Sequence, residues 1–438
     1  MINRRMFLKG LTAGAGCLPL MPMRHLMAAE PDRAEKPNVV FIFVDDLGSV
    51  DLKCYGSADL HTPNLDRLAE QGTRFTQFYA AAPICSPSRA ALMTGRFPRR
   101  AGLPNNAWGD RGLPAEQVTM GEVFQRAGYR TALFGKWHLG DTLQKGPNAQ
   151  GFDEFMGHRV GCIDNYSHYF YWRGPNKHDL WKDETEHFEP GVFFPDIIVR
   201  QAKRFLNENT DKPFFLYLPF NLPHYPMQAE RKYMQRYENI KDPNRRRYAA
   251  FVTSLDDRIG QVIDTIDTLK LRRNTVIVFA SDNGHSVEER AFGGGGSAGP
   301  YRGHKFDVWE GGIRMPCIVS WLGRLPQGQV RNQVTAAIDW LPTLGQWCGV
   351  NVPNEIDGKD ITEVIKSADA PTPHKVLYWE FSQDWAIREG KWKLVCKKGE
   401  YFLSDMKKDA TETKNLASAF PKIVKRLKKL HDQWINDG

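Results

Sequence analysis

Two apolar runs in this chain of 438 residues end in hard oxygen donors. Asn38-Val39-Val40-Phe41-Ile42-Phe43-Val44 leads into Asp45-Asp46, and Thr275-Val276-Ile277-Val278-Phe279-Ala280 leads into Ser281-Asp282-Asn283-Gly284. Carboxylate and amide oxygens with no Cys or His partner in the pattern suit Ca2+ or Mg2+ rather than zinc. The competing reading is that such acids cap helices or face solvent. For either pair alone the two readings stand level, but two pairs at like positions favour a metal site. A third feature is Cys85, followed by Ser86-Pro87-Ser88-Arg89. A cysteine in that setting is by itself more often structural than reactive. His224 follows the apolar stretch 213–218, and alone it too reads as an ordinary buried polar residue.

These residues need elements to bring them together. Both apolar runs read as buried parallel strands, and open α/β sheets place their chemistry at the carboxyl ends of such strands. Thr62-Pro63-Asn64 opens a helix, with Thr62 as its cap and Gly72 at its end. Residues 116–127, 195–209 and a long segment through Tyr248, Leu255 and Ile266 read as further helices. Residues 129–134, 213–218 and 315–320 read as strands. The alternation predicts an α/β fold, a large mostly parallel central sheet with helices on both faces. After about residue 370 the pattern changes to four short strands and a basic helix over 421–435, a small antiparallel subdomain. The expected division is therefore a leader at 1–29, a catalytic domain at 30–370 and an α+β subdomain at 371–438. Gly293-Gly294-Gly295-Gly296-Ser297 reads as a flexible active-site loop.

The stretch Cys85-Ser86-Pro87-Ser88-Arg89, continued by Ala90-Ala91-Leu92-Met93-Thr94-Gly95-Arg96, resembles the signature of formylglycine-dependent sulfatases, the arylsulfatase type within the alkaline-phosphatase-like superfamily. Gly135-Lys136-Trp137-His138-Leu139-Gly140 is similar to that family's second signature, and Phe279–Gly284 resembles its metal segment. Arg302-Gly303-His304-Lys305 with Glu310–Pro316 resembles its late lysine block. The resemblance implies that Cys85 is oxidised to Cα-formylglycine, whose hydrated form attacks sulfur. It implies Ca2+ on Asp45, Asp46, Asp282, Asn283 and residue 85, with Mg2+ the alternative ion. It implies that Arg89 holds residue 85, that Lys136, Lys305 and His224 bind the sulfate, that His224 protonates the leaving alcohol, and that His138 deprotonates the second hydroxyl so that sulfate leaves. Asp282 is the candidate acceptor of the attacking hydroxyl's proton.

The resemblance further implies that the substrate is a sulfate ester on a carbohydrate. Trp108, Trp172, Trp181, Trp309 and Trp385 are candidate sugar platforms, and loops 99–115, 158–195 and 285–301 are expected to shape the pocket. His285 and His304 adjoin site segments, with substrate contact and a structural role both open. Two rivals remain: a phosphodiester or phosphonate monoester hydrolase of the same superfamily, and a non-catalytic glycan-binding homologue. A Cys-type signature also implies a partner, a formylglycine-generating or anaerobic sulfatase-maturing enzyme.

The formal charge of +8 is partly a leader effect, because residues 1–29 carry Arg4, Arg5, Lys9 and Arg24 and no acid. The remaining balance is too mild for a nucleic-acid binder. Arg4-Arg5-Met6-Phe7-Leu8-Lys9 resembles a twin-arginine export motif, and the short apolar stretch after it is no membrane span. The expected location is exported, periplasmic or secreted, with lipid anchoring at Cys17 as the minor reading. The seven cysteines, Cys17, Cys54, Cys85, Cys162, Cys317, Cys348 and Cys396, show no CxxC spacing, so neither a zinc site nor a disulfide scaffold is indicated.

Overall fold

The structure, a computed structural model, describes residues 36–172 and 174–437. The expected leader, with Cys17, lies outside the described residues. Among these residues the main sheet is eleven-stranded. Its centre is built from β1 (Asn38–Asp45), β2 (Thr73–Tyr79), β3 (Arg130–Lys136), β4 (Glu154–His158), β5 (Phe214–Pro223), β6 (Thr275–Ser281) and β7 (Arg314–Ser320), in the order β2-β7-β6-β1-β5-β3-β4. The five strands from β6 to β4 run parallel, whereas β7 is antiparallel to both β6 and β2.

β1 shows why a central parallel strand must be apolar throughout. Val40, Ile42 and Val44 enter the core on one face, with α1 (Pro63–Glu70), α4 (Phe194–Glu208) and α5 (Pro243–Thr268). Val39, Phe41 and Phe43 enter the core on the other, with α2 (Cys85–Thr94), α3 (Met120–Arg126) and α7 (Trp340–Cys348). Period-two alternation with both faces covered leaves no position for a polar residue until the strand ends. A short helix, α6 (Glu310–Ile313), leads into β7. The expected C-terminal meander is present as β8 (Val376–Phe381), β9 (Asp384–Glu389), β10 (Trp392–Lys397) and β11 (Glu400–Asp405), paired in sequence order, followed by α8 (Pro421–Asp437). No helix among the described residues is long and apolar enough to cross a membrane.

Several sequence expectations are corrected. α3 starts at Met120 rather than 116, because Thr119 and Glu122 form a reciprocal capping box that fixes the start. Thr62 stands at the head of α1 but does not cap it; its hydroxyl accepts from the Lys53 N–H and donates to Asp66. The free N–H groups of Asn64 and Leu65 instead donate to the Asp256 carboxylate on α5, at 3.1 and 2.8 Å. Burial drives the Asp256 carboxyl up to about 7 in spite of these donors. Gly260, one turn further along α5, lets α1 come this close, since a Cβ there would lie 2.4 Å from the Asn64 side chain. Asp256→Ala should lower stability by about 1–2 kcal/mol, as loss of a helix cap does, read as a shifted urea midpoint with an unchanged slope.

The glycine run 293–297 does not line the pocket above Cys85; it borders a different cavity. A Cβ on Gly295 would lie 2.5 Å from the Asn244 carbonyl oxygen, and one on Gly296 would lie 2.3 Å from the His285 Cβ. The Gly295 carbonyl accepts from Arg245, and the Ser297 N–H donates to Asp51 at 2.6 Å. Gly295 and Gly296 allow close packing against α5, and the run borders a cavity with Arg245 and Asp59 that contains none of the chemical residues named above.

Candidate active site

Parallel pairing brings the polar strand ends together. Val44 is level with Ser281 and Asp45 with Pro223, so Asp45-Asp46, Asp282-Asn283 and His224 emerge at one edge of the sheet. β3 ends there too, and delivers Lys136 and His138. Asp46 and His138 adopt left-handed backbone angles, φ 63° and 56°. For residues other than glycine this is strained geometry, and such strain concentrates at functional sites.

Cys85 is the first residue of α2, a helix in which every residue is buried. Its hydroxyl neighbours fasten that helix end from both sides. Ser86 Oγ donates to the His138 carbonyl at 2.7 Å and accepts from the Ala107 N–H. Ser88 Oγ donates to the Asp282 carbonyl at 2.6 Å. The Cys85 Sγ lies 3.6 Å from Asp45 Oδ1. Arg89, one turn on, donates to Asp282 Oδ2 at 2.7 Å and lies 3.5 Å from Asp45.

All ten sequence-nominated site residues therefore converge and are buried. Lys136 Nζ donates to Asp45 Oδ2 at 2.6 Å, and Lys305 Nζ to Asp46 Oδ2 at 2.8 Å. Asn283 Nδ2 donates to Asp46 Oδ1 at 2.7 Å, while the buried Asn283 Oδ1 has no hydrogen-bond partner among the described residues. Asp282 Oδ1 accepts from the Asp46 N–H. Side-chain ligand atoms of Asp45, Asp46, Cys85 and His224 all lie within 4.8 Å of one another. Among the described residues this is a donor set able to hold a metal ion, and it includes His224, which the sequence reading had placed with the sulfate instead.

The electrostatics are uneven. Burial opposes ionisation of Asp45, but Lys136, His224, Arg89 and Lys305 outweigh it and hold its carboxyl well below the usual range. Asp46 goes the other way, to about 6, through burial and the Asp45 charge, despite Lys305. Asp282 rises to about 7, through burial and then Asp45. Three carboxylates crowded out of water repel one another. Together with the unmet Asn283 oxygen, that crowding fits a hard divalent cation. Burial, and after it Lys136 for His138 and Lys305 for His224, keeps both imidazoles well below their ordinary range, so both are neutral. His224 Nδ1 lies 2.7 Å from the Tyr225 carbonyl, an acceptor only, so the proton sits on Nδ1 and the Nε2 lone pair faces Asp46 at 3.6 Å. Gly161 leaves room for the His138 ring, because a Cβ there would lie 2.9 Å from it.

Above Cys85 opens a pocket of about 260 Å³, lined by His138, His224 and Lys305 at its base and by Trp108, Phe170, Trp172 and Tyr225 higher up. Each of the three loops expected to shape it contributes: Trp108 and Arg111 from the first, Phe170 and Trp172 from the second, Arg290 from the third. Of the five tryptophans nominated as sugar platforms, Trp108 and Trp172 are there. Trp181 packs under Arg159, Trp309 against Arg302 and Phe402, and Trp385 on His431. His285 and His304 do not line this pocket; His304 Nδ1 bonds to the Lys305 carbonyl. Tyr225 and Arg290 were missed by sequence reasoning. Tyr225 had a signal, adjacency to His224, whereas Arg290 joins through stacking on Trp172 and Tyr225 that no sequence pattern encodes. The six cysteines among the described residues are all unpaired.

Comparison with known proteins identifies the family. The Sulfatase family model matches residues 37–350, and the N-sulphoglucosamine sulphohydrolase C-terminal model matches residues 303–436. The chain is similar to N-acetylgalactosamine-6-sulfatase of Sus scrofa, at 33% identity over 82% of this chain and 71% of that protein. It is similar to arylsulfatase A of Homo sapiens, at 31% identity over 91% and 87%. Among solved structures it resembles Ps i-CgsB, with a TM-score of 0.85, 30% identity and coverage of 91% and 93%, a protein also solved in complex with k-i-k-neocarrahexaose. The chain belongs to the sulfatase family, enzymes that hydrolyse sulfuric esters.

Proposed function

We propose that this protein removes sulfate from a sulfated carbohydrate, using a formylglycine made from Cys85 and a calcium ion held by Asp45, Asp46, Asp282, Asn283 and residue 85. Magnesium is the alternative ion. The observation that carries the reading is the position of Cys85, at the head of a wholly buried helix, beside Asp45 and below a pocket lined by Lys305, His138 and His224. The sulfated-sugar class is supported by the relatives, one named as an N-acetylgalactosamine-6-sulfatase and another solved with a neocarrahexaose. The modified residue would supply an oxygen nucleophile, and the cation would offset charge on a sulfate oxygen.

The chain's own residues divide the remaining work. Lys136 and Lys305 place positive charge where a sulfate enters, and Arg89 fixes residue 85 through the helix and through Asp282. His224, with its Nδ1 proton held by Tyr225, directs Nε2 at the leaving oxygen. It is neutral in the free site, and an anionic ester beside it raises its proton affinity, so that it delivers a proton to the departing alcohol. His138 takes a proton from residue 85 as sulfate leaves. Residues 30–370 form the catalytic part and 371–438 the closing subdomain. The protein acts after export, in the periplasm or outside the cell, and a maturing enzyme of the producing cell prepares residue 85.

The direct test is the mass of the peptide containing residue 85, in protein made with a maturing enzyme, followed by turnover of the sulfate and phosphate esters of one alcohol. An aldehyde there and faster sulfate release agree with the reading; a persistent thiol, or preference for phosphate, removes it. His224→Ala should lower kcat on an alkyl sulfate by roughly 10²–10⁴-fold, the usual worth of a general acid. The loss should shrink on 4-nitrophenyl sulfate, whose phenolate leaves unaided. Equal loss on both esters would deny His224 that role. Chelation should lower the melting temperature, and added Ca2+ should restore it, because an ion that binds only the folded state stabilises it; an unchanged melting temperature would count against a resident ion.

A further inference from the structure

The charge of this chain is unevenly distributed. Residues 391–438 hold twelve of the 59 Lys and Arg but six of the 51 Asp and Glu, while residues 30–390 are slightly acidic. This basic end also carries a surface groove of about 740 Å³, bordered by Lys391, Trp392, Lys408, Lys414, Leu416 and Phe420, which shares no residue with the Cys85 pocket. Trp392 and Phe420 pack at 5.1 Å between ring centroids, with Lys391 Nζ 4.7 Å from the Trp392 ring centroid and Phe420 40% exposed.

Two acids also border the groove, and only Asp405 is offset by an ion pair. Asp405 pairs with Lys391 at 2.9 Å, and the Asp409 carboxylate accepts from the N–H groups of Thr413 and Lys414 and from the Thr411 hydroxyl. Lys408 and Lys414 are exposed and form no direct ion pair among the described residues, Lys408 acting only at longer range on Asp405, and Lys422, Lys425 and Lys429 on α8 likewise form none. An aromatic floor with dispersed ammonium groups matches a sugar chain bearing spaced anionic substituents: the rings take the C–H faces, and the lysines take the charges. A flat bilayer does not enter a groove.

We infer that this groove is a second, non-catalytic binding site for an anionic polysaccharide, one that holds the polymer whose sulfates the Cys85 pocket removes. The site rests on the sulfated-carbohydrate reading above for its biological sense, but its test does not depend on turnover. The full chain carrying Cys85→Ala should bind sulfated dextran in a salt-dependent manner and should not bind unsulfated dextran. The added pair Lys408→Glu and Lys414→Glu, both exposed positions, should weaken binding by about tenfold or more. Phe420→Ala should weaken it less, by about twofold to tenfold, the worth of one aromatic contact. Circular dichroism and melting temperature check that each variant is folded. Binding unaffected by the charge reversals overturns the proposal. So does tighter binding to a short DNA duplex or to phosphatidylserine vesicles than to sulfated dextran, which would assign the basic face to another partner. Hydrolysis of 4-nitrophenyl sulfate by the parent chain, measured separately, decides the sulfatase reading without touching this one.

Discussion

Cys85→Ala should abolish sulfate-ester hydrolysis, with kcat lowered on the order of 10⁴–10⁶-fold, the range seen when an enzyme loses its nucleophile. Protein made without a maturing enzyme should be equally inactive, even though it keeps its sulfur. Burial pushes the Cys85 thiol up to about 12, although Lys136 and Lys305 pull the other way. At neutral pH almost none of it is thiolate, and the thiolate is the reactive form. An unmodified Cys85 is therefore a small buried side chain, and replacing it should leave the fold nearly as stable as before. The decisive comparison is turnover by matured parent, unmatured parent and C85A in one assay, with melting temperatures alongside. Comparable activity in all three would remove residue 85 from the chemistry.

The second large effect is structural. Lys393, on β10 of the C-terminal sheet, is wholly buried and lies 2.9 Å from both Glu310 and Glu412. The Glu310 N–H donates to Glu412 at 2.7 Å, and the Glu412 carbonyl accepts from Arg302. These contacts tie the C-terminal subdomain to both ends of the segment that carries Lys305. Burial raises Glu412 to about 7, whereas for Glu310 the cations Lys393, Arg314 and Arg388 outweigh burial and hold it at about 2. Lys393→Met leaves two buried acids without their shared cation and should cost about 3–5 kcal/mol. The sign of its pH dependence follows. Without Lys393 the folded-state values of both acids rise, and a carboxyl raised on folding loses stability as pH climbs from its unfolded to its folded value. The deficit should be larger at pH 8 than at pH 5, read from urea denaturation at both. An equal deficit at both would mean that the loss is one of packing alone.

How much of this was legible depended on whether the deciding contact was local. β1 and β6 were readable because strands buried on both faces must be apolar to the last residue, and that marked Asp45 and Asp282 as strand ends. The four strands of the meander were readable from short alternating runs. α2 was not recognised as a helix, since with every face buried it has no amphipathic period, and Pro87 in its first turn suggests a loop. β2 was missed because Arg74 and Gln77 interrupt its pattern. Asp256 and Lys393 gave no signal, because their partners lie 192 and 83 residues away and a buried charge looks like a surface charge in sequence. Within the glycine run, the clearance that Gly295 and Gly296 give to Asn244 and His285 depends on contacts the sequence does not show. The acids were found at strand ends and the other chemical residues through their resemblance to family signatures; the geometry that makes them a site came only with the fold.

The burial of α2 sets an order of events during biosynthesis. Cys85 is 2% exposed, and its neighbours Ser86 and Ser88 are bonded to β3 and β6 respectively through the residues that end those strands. On the formylglycine reading proposed above, an enzyme that must grip this stretch in order to oxidise the thiol finds it accessible only while the sheet is still open. Oxidation and folding therefore compete for the same nascent segment. Fast folding yields a stable, permanently silent molecule, and supplying the maturing enzyme later does not rescue it. The fraction of active protein in any preparation should then report the ratio of two rates, and slowing synthesis or cooling the cells should raise it.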